Sequence, residues 1–260
     1  MKIKKIGGFI VLLLVSFQAL AQNENYQKEM FIKGADTLKY RVMYPKNFSD
    51  TDQYPVVFFL HGAGERGNDN ESQLAHGSSL FANAESLENF PAIVVFPQCP
   101  TEDYWSNAKI KRQTRPISLK FKYNRAPTKA MNMVMQLVDE MVGKPFAKEN
   151  QVYVMGLSMG GMGTYELLYR KPETFAAAIA ICGGGDEKKS KDFARKVPLW
   201  IFHGAKDDVV DPQLSLKMAS AIMEYGGQPN VTLFSDANHN SWDPAFAEPA
   251  LLPWLFTQKK

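Results

Sequence analysis

Val152-Tyr153-Val154-Met155-Gly156-Leu157-Ser158-Met159-Gly160-Gly161 is the stretch on which the fold reading turns. Four strand-prone residues run into Gly-x-Ser-x-Gly, and Gly161 to Arg170 continue as a helix that ends before Pro172. This pattern describes a sharp strand-to-helix turn that lifts a serine side chain off the end of a strand. Backbone in so tight a turn is strained and bulky neighbours would collide, so glycine stands two residues before and two residues after Ser158. Gly161 and Gly163 keep one helix face thin enough to pack close to a sheet. A phosphate-binding loop would need a Lys-Ser/Thr pair after the glycines, and none follows.

Outward from this turn, strands and helices alternate. Residues 27–33 and 38–44 read as an antiparallel pair joined near Gly34. Residues 55–60 and 92–96 are continuous apolar runs, the pattern of strands buried on both faces. Val134, Leu137, Val138 and Met141 share one helix face within 128–142, and the methionines at 131, 133, 135 and 141 are read as packing residues. Strand 151–156 and helix 159–170 are followed by strand 176–182, strand 198–203, helix 213–225, strand 230–235 and helix 245–257. The order predicts an α/β protein with a mostly parallel central sheet flanked by helices. The stretch 102–126 has no clear element. From Lys109 to Arg125 it carries seven basic residues and no acid. Two readings stand: a solvated connection over the sheet edge, or a basic rim near the serine that attracts anionic substrates.

The 260 residues suffice for one α/β domain after a leader is set aside. Lys2, Lys4 and Lys5 precede an apolar stretch from Phe9 to Val15, and Ala19-Leu20-Ala21 closes it. Residues 1–21 therefore read as a signal peptide and 22–260 as the folded domain of an exported, periplasmic or secreted protein. The apolar stretch is too short for a membrane span, and no second long one follows. The net charge of +3 comes from the leader: without its three lysines, 27 basic residues face 27 acidic ones. Global charge therefore gives no case for nucleic-acid binding. The two cysteines, Cys99 and Cys182, read as unpaired, and no Cys or His pair has metal-ligand spacing.

A serine hydroxyl needs a base within hydrogen-bond reach, and the base needs an acid to fix its tautomer. In this kind of fold the acid and then the histidine follow the serine in sequence. Of four histidines, only His203 and His239 come after Ser158. His239, in Asn238-His239-Asn240-Ser241-Trp242 after the last predicted strand, is the expected base, and His203 reads as a structural residue closing its strand. The acid lies in Lys206-Asp207-Asp208-Val209-Val210-Asp211-Pro212, with Asp211 read as a helix N-cap and Asp207 and Asp208 not separable by residue chemistry. An oxyanion formed on acyl attack needs two backbone N–H donors. Met159 is one, and the small-residue loop His61-Gly62-Ala63-Gly64-Glu65-Arg66-Gly67 supplies the other, Ala63 before Gly64, with His61 bracing the turn. Trp105 and Trp242 are candidates for stacking on substrate or, equally, for packing.

Together, the His61–Gly67 loop, Gly156–Gly161, the His203-Gly204…Asp207 loop and His239-Asn240-Ser241-Trp242 resemble the exported α/β-hydrolase esterases over residues 27–257. More narrowly, the chain looks like the predicted-peptidase or phospholipase/carboxylesterase-like group, and it is similar to bacterial feruloyl and acetyl-xylan esterases. The resemblance implies Ser158 as nucleophile, Asp207 rather than Asp208 as acid, His239 as base, and Ala63 and Met159 as oxyanion donors. It also implies a serine carboxylesterase that needs no cofactor and acts on a small-molecule or oligosaccharide ester, with an acylated carbohydrate or aromatic ester the expected substrate class. A serine peptidase for short peptides is the rival on the same fold. A binding module that kept the fold is the rival from another class, and the presence of every triad residue type speaks against it.

Overall fold

A computed structural model describes residues 24–260, so the expected leader at 1–21 lies outside the described residues. The apolar runs form an eight-stranded sheet from β1 (Gln27–Lys33), β2 (Asp36–Met43), β3 (Tyr54–Leu60), β4 (Ile93–Pro97), β7 (Ala147–Leu157), β8 (Ala177–Ile181), β9 (Leu199–Gly204) and β10 (Asn230–Phe234). A separate hairpin, β5 (Ala108–Lys111) and β6 (Ser118–Phe121), occupies the stretch that had no clear reading. In the main sheet the strands are ordered β1-β2-β4-β3-β7-β8-β9-β10, and β2 alone runs against the others. The α/β, mostly parallel sheet expected from the sequence is therefore present.

The unbroken apolar runs have a direct structural cause. Side chains alternate across a strand, so a strand covered on both faces must be apolar at every position. Along β3, Val56, Phe58 and Leu60 enter one core, and Val57 and Phe59 enter the other. The first core is closed by α3 (Lys129–Val142), α4 (Met159–Arg170) and α5 (Pro212–Glu224), after the short helices α1 (Ser78–Ala82) and α2 (Ala84–Asn89). Phe81 of α1 and Leu251, Leu252 and Leu255 of α7 (Leu251–Thr257), which follows α6 (Trp242–Phe246), close the second. Met131, Met133 and Met141 are buried on α3, as packing residues should be. The single helix expected over 245–257 is two helices, because Pro249 disfavours helical backbone at Glu248 and cannot donate to the preceding turn.

Strand order sets where a ligand can sit. From β3 the chain crosses to β4 on one side, then returns to β7 on the other. Loops leaving β3 and β7 therefore diverge, which opens a crevice beyond their carboxyl ends. The turn after β7 closes against the end of β3: a Cβ on Gly160 would stand 1.8 Å from the Leu60 carbonyl oxygen. Only glycine fits there. Gly160→Ala should lower the unfolding free energy in urea by about 2 kcal/mol or more. Gly64→Ala, where a Cβ would meet nothing within 4 Å, should cost less than about 0.5 kcal/mol.

Candidate active site

Ser158 stands between β7 and α4 with φ 53° and ψ −116°, a left-handed backbone that a side chain rarely adopts. Its N–H donates to the Ile181 carbonyl at 2.8 Å, which holds the turn against β8. Gly62, in the loop after β3, lies so near that a Cβ there would stand 3.7 Å from Ser158 Cβ. The third segment arrives through Gly204, where a Cβ would fall 2.2 Å from the Asn238 carbonyl oxygen. Lys206 N–H donates to the Ala237 carbonyl at 2.9 Å, so the 237–239 segment is fastened over the end of β9.

These three approaches bring Ser158, His239 and Asp207 into one hydrogen-bonded chain. Asp207 Oδ2 lies 2.8 Å from His239 Nδ1, and His239 Nε2 lies 3.1 Å from Ser158 Oγ. A carboxylate only accepts, so Nδ1 carries the proton and the Nε2 lone pair faces the serine hydroxyl, which donates. Asp208 is exposed, whereas the Asp207 carboxyl is fully buried. Burial pushes the Asp207 carboxyl up, but hydrogen bonds from His203, His239 and the Val210 N–H outweigh it and hold the group well below the usual carboxylate range. Oδ1 accepts the N–H groups of Val209 and Val210 at 2.8 and 2.9 Å.

His203 does more than close its strand. Its Nε2 faces Asp207 Oδ2 at 3.1 Å and the Val210 carbonyl at 3.0 Å, both acceptors, so Nε2 carries a proton. Nδ1 is 2.7 Å from Ser215 Oγ. Sequence reasoning missed this support, because the spacing of His203 to Asp207 has meaning only once the loop curls back.

His61 braces the turn after β3. Its Nε2 accepts the Cys99 N–H at 3.0 Å, so Nδ1 donates to the Gly62 carbonyl at 2.6 Å. Burial lowers its pKa to about 4, which keeps the ring neutral. The Gly62 carbonyl and the Ala63 N–H belong to one trans peptide and point opposite ways. The His61 bond therefore also sets the direction of the Ala63 N–H. Ala63 opens a 3₁₀ turn and Met159 opens α4, positions whose N–H groups have no acceptor within their own helix.

A cavity of about 300 Å³ opens above Ser158 and His239, within the range of small-ligand sites. Ala63 and Trp242 line it. Trp242 meets the His239 ring edge-on at 5.5 Å. Trp105 does not line it: the expected stacking candidate is fully buried, against His61 at 5.3 Å and close to Gly163. His76, Tyr104, Arg112, Arg115 and Ile117 also line the cavity. The basic run held a signal for the two arginines, but nothing in the sequence marked His76 or Tyr104.

Cys182, Asp207 and His239 offer ligand atoms within 4.8 Å of one another, yet they do not fit a metal. Burial pushes the Cys182 thiol up, so it stays protonated, and the other two already satisfy each other. Both cysteines are free and buried.

Residues 48–248 match the phospholipase/carboxylesterase family, and the chain belongs to that family. It is 35% identical over 86 residues to a bifunctional acetylxylan esterase/xylanase of Neocallimastix patriciarum, a match covering 33% of this chain and 13% of that protein. The solved structure of a thermostable esterase superposes with TM-score 0.81 at 30% identity, over 92% of this chain and 64% of that one. A ferulic acid esterase shares the fold with TM-score 0.65 at 17% identity, over 89% and 98%.

The depressed Asp207 pKa has a signed consequence for stability. Its contribution is fully present above the unfolded carboxylate pKa, near about 4, and is lost as pH falls toward the lower folded value. Between about pH 5 and pH 2.5, the urea midpoint of the wild type should therefore fall more steeply than that of Asp207→Asn. Parallel curves would show that the carboxyl is not held ionised by its neighbours.

Proposed function

We propose that this chain is an exported serine carboxylesterase that works through an acyl-enzyme on Ser158. The observation that carries the reading is the hydrogen-bonded chain from buried Asp207 through His239 to Ser158, ending at the cavity wall. His239 Nε2 takes the Ser158 proton as Oγ attacks the ester carbonyl. Asp207 stabilises the resulting imidazolium without itself becoming protonated. Charge on the former carbonyl oxygen is met by the N–H groups of Ala63 and Met159. His239 then protonates the departing alcohol, and water, activated by the same nitrogen, releases the acid. Every proton has a donor and an acceptor among these residues, so no cofactor enters the scheme.

An acylated carbohydrate or aromatic ester is the substrate class favoured by the family match and the relatives. Trp242, beside His239, offers an aromatic surface for either. Export is supported by the leader-like residues 1–21.

The mature chain, residues 22–260, should release a stoichiometric burst of nitrophenol from nitrophenyl acetate. Ser158→Ala should remove the burst and lower kcat by at least about 10³-fold. Full turnover by that variant would contradict the serine assignment. Cleavage of aminoacyl anilides without cleavage of nitrophenyl acetate or methyl ferulate would make the chain a peptidase instead.

A further inference from the structure

The basic stretch left open by the sequence is a hairpin fixed over the cavity. Hydrogen bonds at its base and at its tip hold it. At its base, Asn107 N–H donates to the fully buried Glu166 of α4 at 2.6 Å, and Lys122 N–H donates to the Asn107 carbonyl at 2.8 Å. Tyr123 Oη donates to the Met162 carbonyl at 3.2 Å. At its tip, Ile117 N–H donates to the Val209 carbonyl at 2.9 Å, on the loop that carries Asp207. The hairpin is thus tied to the serine's helix at one end and to the acid's loop at the other.

Arg112 and Arg115 sit in the turn between β5 and β6, and both line the cavity that holds Ser158. Among the described residues neither forms an ion pair, and neither guanidinium donates a hydrogen bond within the chain. One carboxylate, Glu65, lines the same cavity. It lies against the loop after β3, with Oε1 3.7 Å from His76 Nε2 and Oε2 2.9 Å from where a Gly62 Cβ would stand. Two guanidinium groups against one carboxylate leave the wall above Ser158 positive. A guanidinium binds a carboxylate through two parallel N–H···O bonds, which fixes orientation as well as charge.

We propose that Arg112 and Arg115 form an anion subsite, and that the preferred substrates are esters carrying a free carboxylate. This rests on the esterase reading above. The carboxylate belongs either to the acyl group, as in a dicarboxylic half-ester, or to the alcohol, as in an acylated uronate.

Two pairs of substrates separate these sources. The first is the nitrophenyl half-ester of glutarate against nitrophenyl valerate. The second is acetylated methyl glucuronoside, with its carboxylate free, against acetylated methyl glucoside. In at least one pair the wild type should favour the charged ester in kcat/KM, chiefly through KM. Arg112→Gln/Arg115→Gln should reduce that preference at least about tenfold. Raising the salt to about 0.5 M should compress it in the wild type without any substitution. Lys122→Gln, on a side chain that does not line the cavity, should leave the ratio in place. A wild type that hydrolyses the neutral esters with no preference in either pair would overturn the subsite alone. So would a preference that survives the double substitution. A wild type inert towards all four esters would overturn the esterase reading and the subsite with it.

Discussion

The Gly160 backbone lies against the Leu60 carbonyl with no room for a methyl group. That contact joins the end of β7 to the end of β3, and the site follows from it. The turn after β7 can carry Ser158 only if it is tight, and the loop after β3 can reach it only if the turn is thin. Gly62 and Gly204 repeat the device for the other two segments. Three close approaches of backbone thus bring together residues far apart in the chain. The strained φ of Ser158 is carried by this packing and by its N–H bond to Ile181.

The same frame determines the electrostatics. Asp207 is removed from water, a costly place for a charge, yet four hydrogen-bond donors surround it: two histidine rings and two backbone N–H groups. They keep the group ionised, and an ionised acid is what fixes the His239 tautomer. His203 and His61, both buried, serve the site without facing the cavity. One supports the acid and the other sets the peptide that bears the Ala63 N–H.

Much of this was legible in the sequence, and the limits have physical causes. Doubly covered strands must be apolar throughout, so β3 and β4 were visible as runs. The turn at Ser158 was visible because its glycines are sterically required. Local pattern failed where tertiary contact decides. β7 begins four residues before the strand expected from residue 151, because Ala147 pairs with Tyr54. The β5–β6 hairpin stands apart from the main sheet, with half its residues exposed, so it lacks the burial pattern that marks a strand. Trp105 and Trp242 were indistinguishable as residue types. Only the position of Trp105 under His61 and beside Gly163 takes it out of the cavity. Asp207 and Asp208 were likewise separated by which one turns inward.

The central claim is that Ser158 and His239 act as one unit. A double-mutant cycle on kcat with a nitrophenyl ester, using Ser158→Ala, His239→Ala and the pair, tests it most directly. The account predicts that the pair loses no more than the worse single variant, because each substitution alone already removes the activated hydroxyl. Losses that multiply would show two independent contributions and would contradict the account.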